Sequence, residues 1–223
     1  MDEALWALGR ATGAIGLLLM TGSVVLGILT RSGRPAIGLP RFGVATLHRN
    51  VGILATAFIA IHVVSLLFDP YAQLKLVDLV VPFLGEYRPF WLGLGTVAID
   101  LMLAVTITAL LRRRIGARAF RAVHLSTYAL WPIALAHGLG TGTDALTPWM
   151  IALTVVCVGA VVAALVWRLS ARFRRPAGAI AMSTPPSAAP ASSAPAALAP
   201  GALGSASPAS APRIPAAPIG GPR

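Results

Sequence analysis

Four histidines occur in the chain, and they fall into two pairs inside apolar stretches: His48 with His62, and His124 with His137. The separations are 14 and 13 residues. Neutral imidazole is the axial ligand that a b-type haem iron takes, one on each face when both are closed. At about 1.5 Å per residue, 14 helical residues separate two levels by about 21 Å. At about 100° per residue, the same 14 steps return to within about 40° of the starting direction. His48, Gly52, Ala55, Ile59 and His62 therefore share one stripe, on which Gly52 and Ala55 leave room for a flat group between helices. The 13-residue step places His137 about 140° from His124 on an ideal helix. Pro132 lies between them, frees a backbone carbonyl, and offers a place where a kink or rewinding re-aims His137.

The elements that must position these histidines are membrane helices. The chain is 57% apolar and 11% charged, with mean hydropathy +0.79. Five windows are long enough for the roughly 30 Å hydrocarbon core, which takes about 20 helical residues. They are Ala11–Thr30, Thr46–Phe68, Trp91–Leu111, Ala119–Leu139 and Pro148–Leu169. None alternates as barrel strands do. The expected fold is all-α: an integral membrane bundle of five transmembrane helices. The leader Met1-Asp2-Glu3 is acidic, which argues against reading the first window as a secretory signal. The single Cys157 lies mid-span, so neither a disulfide nor a thiolate cluster is expected.

The net charge is +11, from 17 arginines and one lysine against seven acidic residues. In a membrane chain these arginines mark topology, and no nucleic-acid partner is expected. Arg31, Arg34 and Arg41 lie between spans 1 and 2. Arg112, Arg113, Arg114, Arg118 and Arg121 lie between spans 3 and 4, and Arg168, Arg172, Arg174 and Arg175 follow span 5. The opposite loops are poor in arginine. The positive-inside rule then puts the N-terminus outside and the C-terminus in the cytoplasm. Spans 2 and 4 run the same way, so His48 and His124 share an inner level and His62 and His137 an outer one. Arg49 and Arg121 stand where carboxylates of an inner haem emerge, and bidentate pairing makes them candidate anchors. Arg112–Arg114 form a positive surface suited to an acidic donor protein, or a topology signal alone.

Residues 1–175 form the expected haem-binding domain. Residues 176–223 hold 11 of the 18 prolines among Ala, Ser and Gly, a composition expected to form a disordered cytoplasmic tail. The outer loop Asp69–Phe90 contains Leu74–Val81, which has the pattern of a short interfacial amphipathic helix and of a lid over an outer cofactor. Asp100 is the carboxylate deep in a span. It is expected to pair with Arg10 or a span hydroxyl, or to handle protons or tune a haem. Tyr128 and Trp131 flank the span 4 stripe, as packing or as contacts to a macrocycle.

The segments Leu47-His48-Arg49-Asn50-Val51-Gly52 through Ile61-His62, and Arg121-Ala122-Val123-His124 through Ala136-His137-Gly138, resemble the ferric reductase-like transmembrane domain family. That family includes the membrane part of NADPH oxidases and ferric reductases, and the haem subunit of a periplasmic methionine sulfoxide reductase system. The resemblance runs from about Leu5 to Arg175. It implies two b-type haems, the inner on His48 and His124 and the outer on His62 and His137. Departures from the oxidases are expected in five spans rather than six and in a missing cytoplasmic flavin and nicotinamide domain. Expected partners are a cytoplasmic flavoprotein or iron–sulfur reductase, an external electron acceptor or exported redox protein, and the lipid of the plasma membrane. Bis-histidine ligation leaves no open iron position, which suits a relay of single electrons. The alternatives are a quinol-dependent haem b subunit feeding an exported reductase, and a haemless anchor or metal-ion transporter.

Overall fold

The computed structural model describes residues 2–170, apart from residues 34, 71 and 73. The expected tail, 176–223, lies outside the described residues. The architecture is all-helical: α1 (Asp2–Ser32), α2 (Arg41–Leu67), α3 (Pro89–Leu110), α4 (Arg112–His124), α5 (Thr127–Thr141) and α6 (Pro148–Leu169). Among the described residues, α1, α2, α3 and α6 are each long and apolar enough to cross a membrane, so the chain is a multi-pass membrane bundle.

The window expected to form the fourth span, Ala119–Leu139, is not one helix. It is divided between α4 and α5, and the division has local causes. Gly116 takes a left-handed φ of 81°, which breaks α4 near its start at a conformation that side chains with a Cβ disfavour. The Ser126 and Thr127 hydroxyls donate to the carbonyls of Val123 and His124, each at 2.7 Å, in competition with the helical N–H groups. The backbone tightens in response. The N–H of Ser126 donates to Val123, that of Tyr128 to Leu125 and that of Ala129 to Ser126, all in the three-residue register. Pro132 then removes the N–H that the Tyr128 carbonyl would have accepted.

That tightening makes up part of the misdirection expected of His137. A three-residue turn advances about 120° per residue instead of about 100°, so a few such steps rotate His137 back toward the face of His124. The rewinding lies one turn before Pro132 rather than at it.

The helix directions follow from contacts at both ends of α1. Gly9 of α1 meets His62, late in α2, and Ser23 meets His48, early in α2. The two helices are therefore antiparallel. Trp91, at the start of α3, meets His137, at the end of α5, so these two are antiparallel as well. His48 and His62 of α2 meet His124 and His137 in the same order, so α2 and α5 run the same way. Between the two histidine levels the bundle is filled by Leu17, Met20, Ala55, Ala98, Met102, Leu130, Trp131, Cys157 and Val161. Trp131 is 8% exposed, and its indole N–H donates to the Thr21 hydroxyl at 2.9 Å.

Leu74–Val81 is less regular than an amphipathic helix. A single 3-10 turn, Leu76–Leu79, carries the buried Asp78. The Asp78 carboxylate accepts from the Lys75 backbone N–H at 3.0 Å, and its carbonyl accepts from the Thr96 hydroxyl of α3 at 2.6 Å.

Candidate histidine sites at two levels

The structure brings the four histidines together in the expected pairs. The ring centroids of His48 and His124 are 6.1 Å apart with planes at 87°. Those of His62 and His137 are 6.5 Å apart at 83°. Two imidazoles on opposite sides of one metal, with metal–nitrogen bonds of about 2.0–2.1 Å and centroids roughly 1 Å behind each nitrogen, stand about 6 Å apart. Both levels have that separation.

The second ring nitrogen is held in place at three of the four positions. His48 Nδ1 is 3.0 Å from the Ser23 carbonyl oxygen. His62 Nδ1 is 2.7 Å from that of Gly9, and His137 Nδ1 is 2.9 Å from that of Trp91. A carbonyl only accepts, so each Nδ1 carries the proton and each Nε2 keeps its lone pair. This is the arrangement that orients an imidazole for a metal and raises its basicity. His124 differs: its Nδ1 is buried without a hydrogen-bond partner among the described residues. Its ring stacks instead on Phe120, one turn earlier, at 5.1 Å and 29°.

Small residues give the rings their space. A Cβ on Gly13 would lie 2.9 Å from His62 Nδ1, and one on Gly27 would lie 3.3 Å from His48 Cε1. Gly95 of α3 lies against His137 in the same way. Nothing in their residue type marks these positions, although their spacing carries a signal. Gly13 and Gly27 are 14 residues apart, as are Gly9 and Ser23, matching the 14 between His48 and His62. Gly52, expected to make room on the stripe, faces the Ser23 hydroxyl at ordinary contact distance.

His62 and His137 open into a partly open cavity walled by Leu17, Ile59, Leu79, Met102 and Trp149 among others. Leu74, Asp78 and Leu79 form part of that wall, so the Leu74–Val81 segment does border the site. Among the described residues no group of three or more His, Cys, Asp or Glu gathers as metal ligands. A metal held by two of these imidazoles would need its remaining ligands from a group that brings its own donors, such as a porphyrin.

Other candidates are placed as follows. Arg49 is exposed on α2, and Arg121 is exposed on α4 with its Nε donating to the Ala117 carbonyl at 3.1 Å. Arg10 forms its ion pair with Asp144, not with Asp100, because Asp144 follows α5 at the end where α1 begins. Its guanidinium also lies 4.0 Å from the Trp6 ring centre. Tyr128 turns away from the site to Arg168 of α6, its hydroxyl accepting from the guanidinium. Trp131 is core, between the two levels.

A model of the family described as ferric reductase like transmembrane component matches residues 12–135, more than half of the chain. The match takes in His48, His62 and His124 and stops two residues before His137. No curated protein and no solved structure gives a match.

Proposed function

The chain belongs to the ferric reductase-like transmembrane component family, and from that premise we propose that it is a di-haem b-type membrane cytochrome. It relays single electrons from a cytoplasmic reductase partner, a flavoprotein or iron–sulfur protein, to an acceptor or exported redox protein outside the plasma membrane. His48 and His124 hold the inner haem, and His62 and His137 hold the outer. The observation that carries this reading is the repetition, at two levels, of facing imidazoles about 6 Å apart with three of four Nδ1 atoms tied to carbonyls.

Haem supplies reversible one-electron iron chemistry when bound. The chain's own residues supply the rest. The Ser23, Gly9 and Trp91 carbonyls fix which nitrogen of each imidazole faces the iron. The packed layer around Met102, Leu130 and Trp131 excludes water between the levels and keeps the two groups apart. The cavity wall shields the outer pair.

The orientation rests on charge. Arg31, Arg41, Arg112, Arg113, Arg114, Arg118 and Arg121 lie at the end of the bundle that holds His48 and His124, so this end is cytoplasmic. Arg49 and Arg121 anchor the carboxylates of the inner haem there, and Arg112–Arg114 present a basic surface to an acidic donor. α5, continued by the last turns of α4, makes the fifth crossing and returns the chain so that α6 ends inside. Residues 1–175 are the functional unit, with 176–223 as a disordered cytoplasmic extension.

Pyridine haemochrome analysis of the purified, fully loaded protein tests the reading. It gives two haems per chain, and the absorption spectra of the native protein, oxidised and reduced, are those of low-spin haem. A content of one or none overturns the two-level assignment. Reduction by a soluble flavoprotein, and not by a quinol, supports the proposed donor; the reverse result overturns it.

A further inference from the structure

Three of the four imidazoles have a carbonyl behind them, and the fourth has a ring. His48, His62 and His137 each reach a carbonyl on a neighbouring helix. His124 Nδ1 is buried without a hydrogen-bond partner among the described residues. The Phe120 ring lies 5.1 Å from the His124 ring, centre to centre, with the planes at 29°. Offset rings at such a separation attract one another beyond the area they bury.

Phe120 is placed for this contact. Over Arg112–Ala122 every other residue is exposed, and Phe120 is half-buried. It precedes His124 by four residues, on the same face of the helix. Helical side chains lean toward the N-terminus, which carries the His124 ring back over Phe120. The helix they share is short, running from the left-handed Gly116 to the turn at Leu125 and Ser126. α1 supplies the carbonyls for His48 and His62, and α3 the one for His137. At His124, α4 supplies a constraint from within itself.

A partner behind a ligand imidazole fixes the ring plane and the tautomer. Stacking on Phe120 does the first. The plane it holds stands at 87° to that of His48.

We infer that Phe120 is a positioning residue of the inner level: through its stack it fixes the plane of His124, and so the angle between the two inner imidazoles. The inference rests on the proposed haem ligation by His48 and His124 and deepens it. The angle between two axial imidazole planes governs the spread of g-values in the electron paramagnetic resonance of an oxidised low-spin haem. The role therefore has a signature apart from electron transfer.

The test uses the full chain with His62→Ala, which keeps the inner haem, and compares Phe120→Leu with Phe120→Tyr. Leucine keeps the apolar bulk and suits a helix, but has no ring face. Tyrosine keeps the face. Phe120→Leu broadens and shifts the low-spin signal and speeds haem loss about tenfold, the low end of the cost of losing a partner behind a metal ligand. Phe120→Tyr leaves both unchanged. In the chain with His48→Ala, which keeps the outer haem, Phe120→Leu alters neither property, and this shows that the variant folds. An inner signal and loss rate unchanged by Phe120→Leu overturn the proposal. So does a Phe120→Tyr chain altered as much as the leucine variant, which makes the stack packing alone, or loss of the outer haem as well, which makes Phe120 a folding residue. A wild type without haem, read from its haem count before any variant is compared, overturns the ligation reading and this inference together.

Discussion

His62 Nδ1 lies 2.7 Å from the carbonyl oxygen of Gly9, and Gly13, one turn further along α1, leaves the imidazole its room. The contact joins the first helix to the outer histidine level. It assigns the Nδ1 proton and turns Nε2 toward His137.

Gly13→Ala therefore acts on one level only. Its new Cβ falls 2.9 Å from His62 Nδ1 and 3.0 Å from Cε1, closer than those atoms tolerate. Alanine raises helix propensity over glycine by about 1 kcal/mol, so any loss arises at the ring rather than in α1. Outer haem content falls while the inner remains. Gly27→Ala, with 3.3 Å to His48 Cε1, has a milder effect on the inner level. Haem per chain and the reduced spectrum report both, and a fully loaded Gly13→Ala protein refutes the prediction.

His62→Ala removes the outer haem and largely spares the inner, because about 21 Å of continuous α2 separates the two levels. The measured content drops by half. A complete loss shows instead that the two sites fold as one unit.

The inner level has the looser ligand. His48 is held by Ser23, whereas His124 has no partner on Nδ1 among the described residues and directly precedes the tight turn at Leu125 and Ser126. Haem loss under mild denaturant accordingly begins at the inner level. It is followed by the absorbance of His62→Ala, which reports the inner haem alone, against that of His48→Ala, which reports the outer. Equal loss rates count against a role for the missing anchor.

Thr21→Val tests the packed layer between the levels. The Thr21 hydroxyl accepts from the buried Trp131 indole and donates to the Leu17 carbonyl at 2.8 Å. Valine keeps the shape and leaves the indole N–H unpaired, at a cost of about 1–3 kcal/mol. The thermal midpoint falls with no change in the spectrum of the loaded protein. An unchanged midpoint removes this contact from the account of stability.

The exposed pair Lys75–Glu86, 2.7 Å apart, gives a small pH dependence. Its hydrogen bond to Lys75 lowers the Glu86 pKa, and the same contact raises that of Lys75. The lowered Glu86 contributes stability above the ordinary carboxylate range and loses it as pH falls through the folded value. The raised Lys75 contributes below the ordinary lysine range and loses it as pH rises through its folded value. Solvent screens the pair. Glu86→Gln thus slightly flattens both limbs of the midpoint-against-pH curve, and a curve unchanged at both ends shows the pair to be inert.

Much of this molecule was legible in one dimension. Hydropathy alone marks the apolar windows, because lipid demands about 20 apolar residues per crossing. The spacing of His48 and His62 places them on one stripe because α2 is a continuous helix. The arginine clusters segregate to alternate connections, which is the basis of the proposed orientation. Other relationships depended on tertiary structure. That His137 faces His62 depended on the break between α4 and α5 and on three-residue turns at Val123–Ala129, a competition between Ser126 and Thr127 hydroxyls and backbone N–H groups that no periodicity records. Which carboxylate Arg10 meets depended on where the α5–α6 connection falls, so the expected Asp100 gave way to Asp144. The carbonyls of Gly9, Ser23 and Trp91 became partners of histidines only because helices far apart in the chain lie antiparallel in register. Their residue types carry no mark of it, since a backbone carbonyl belongs to every residue and only packing determines which ones an imidazole meets.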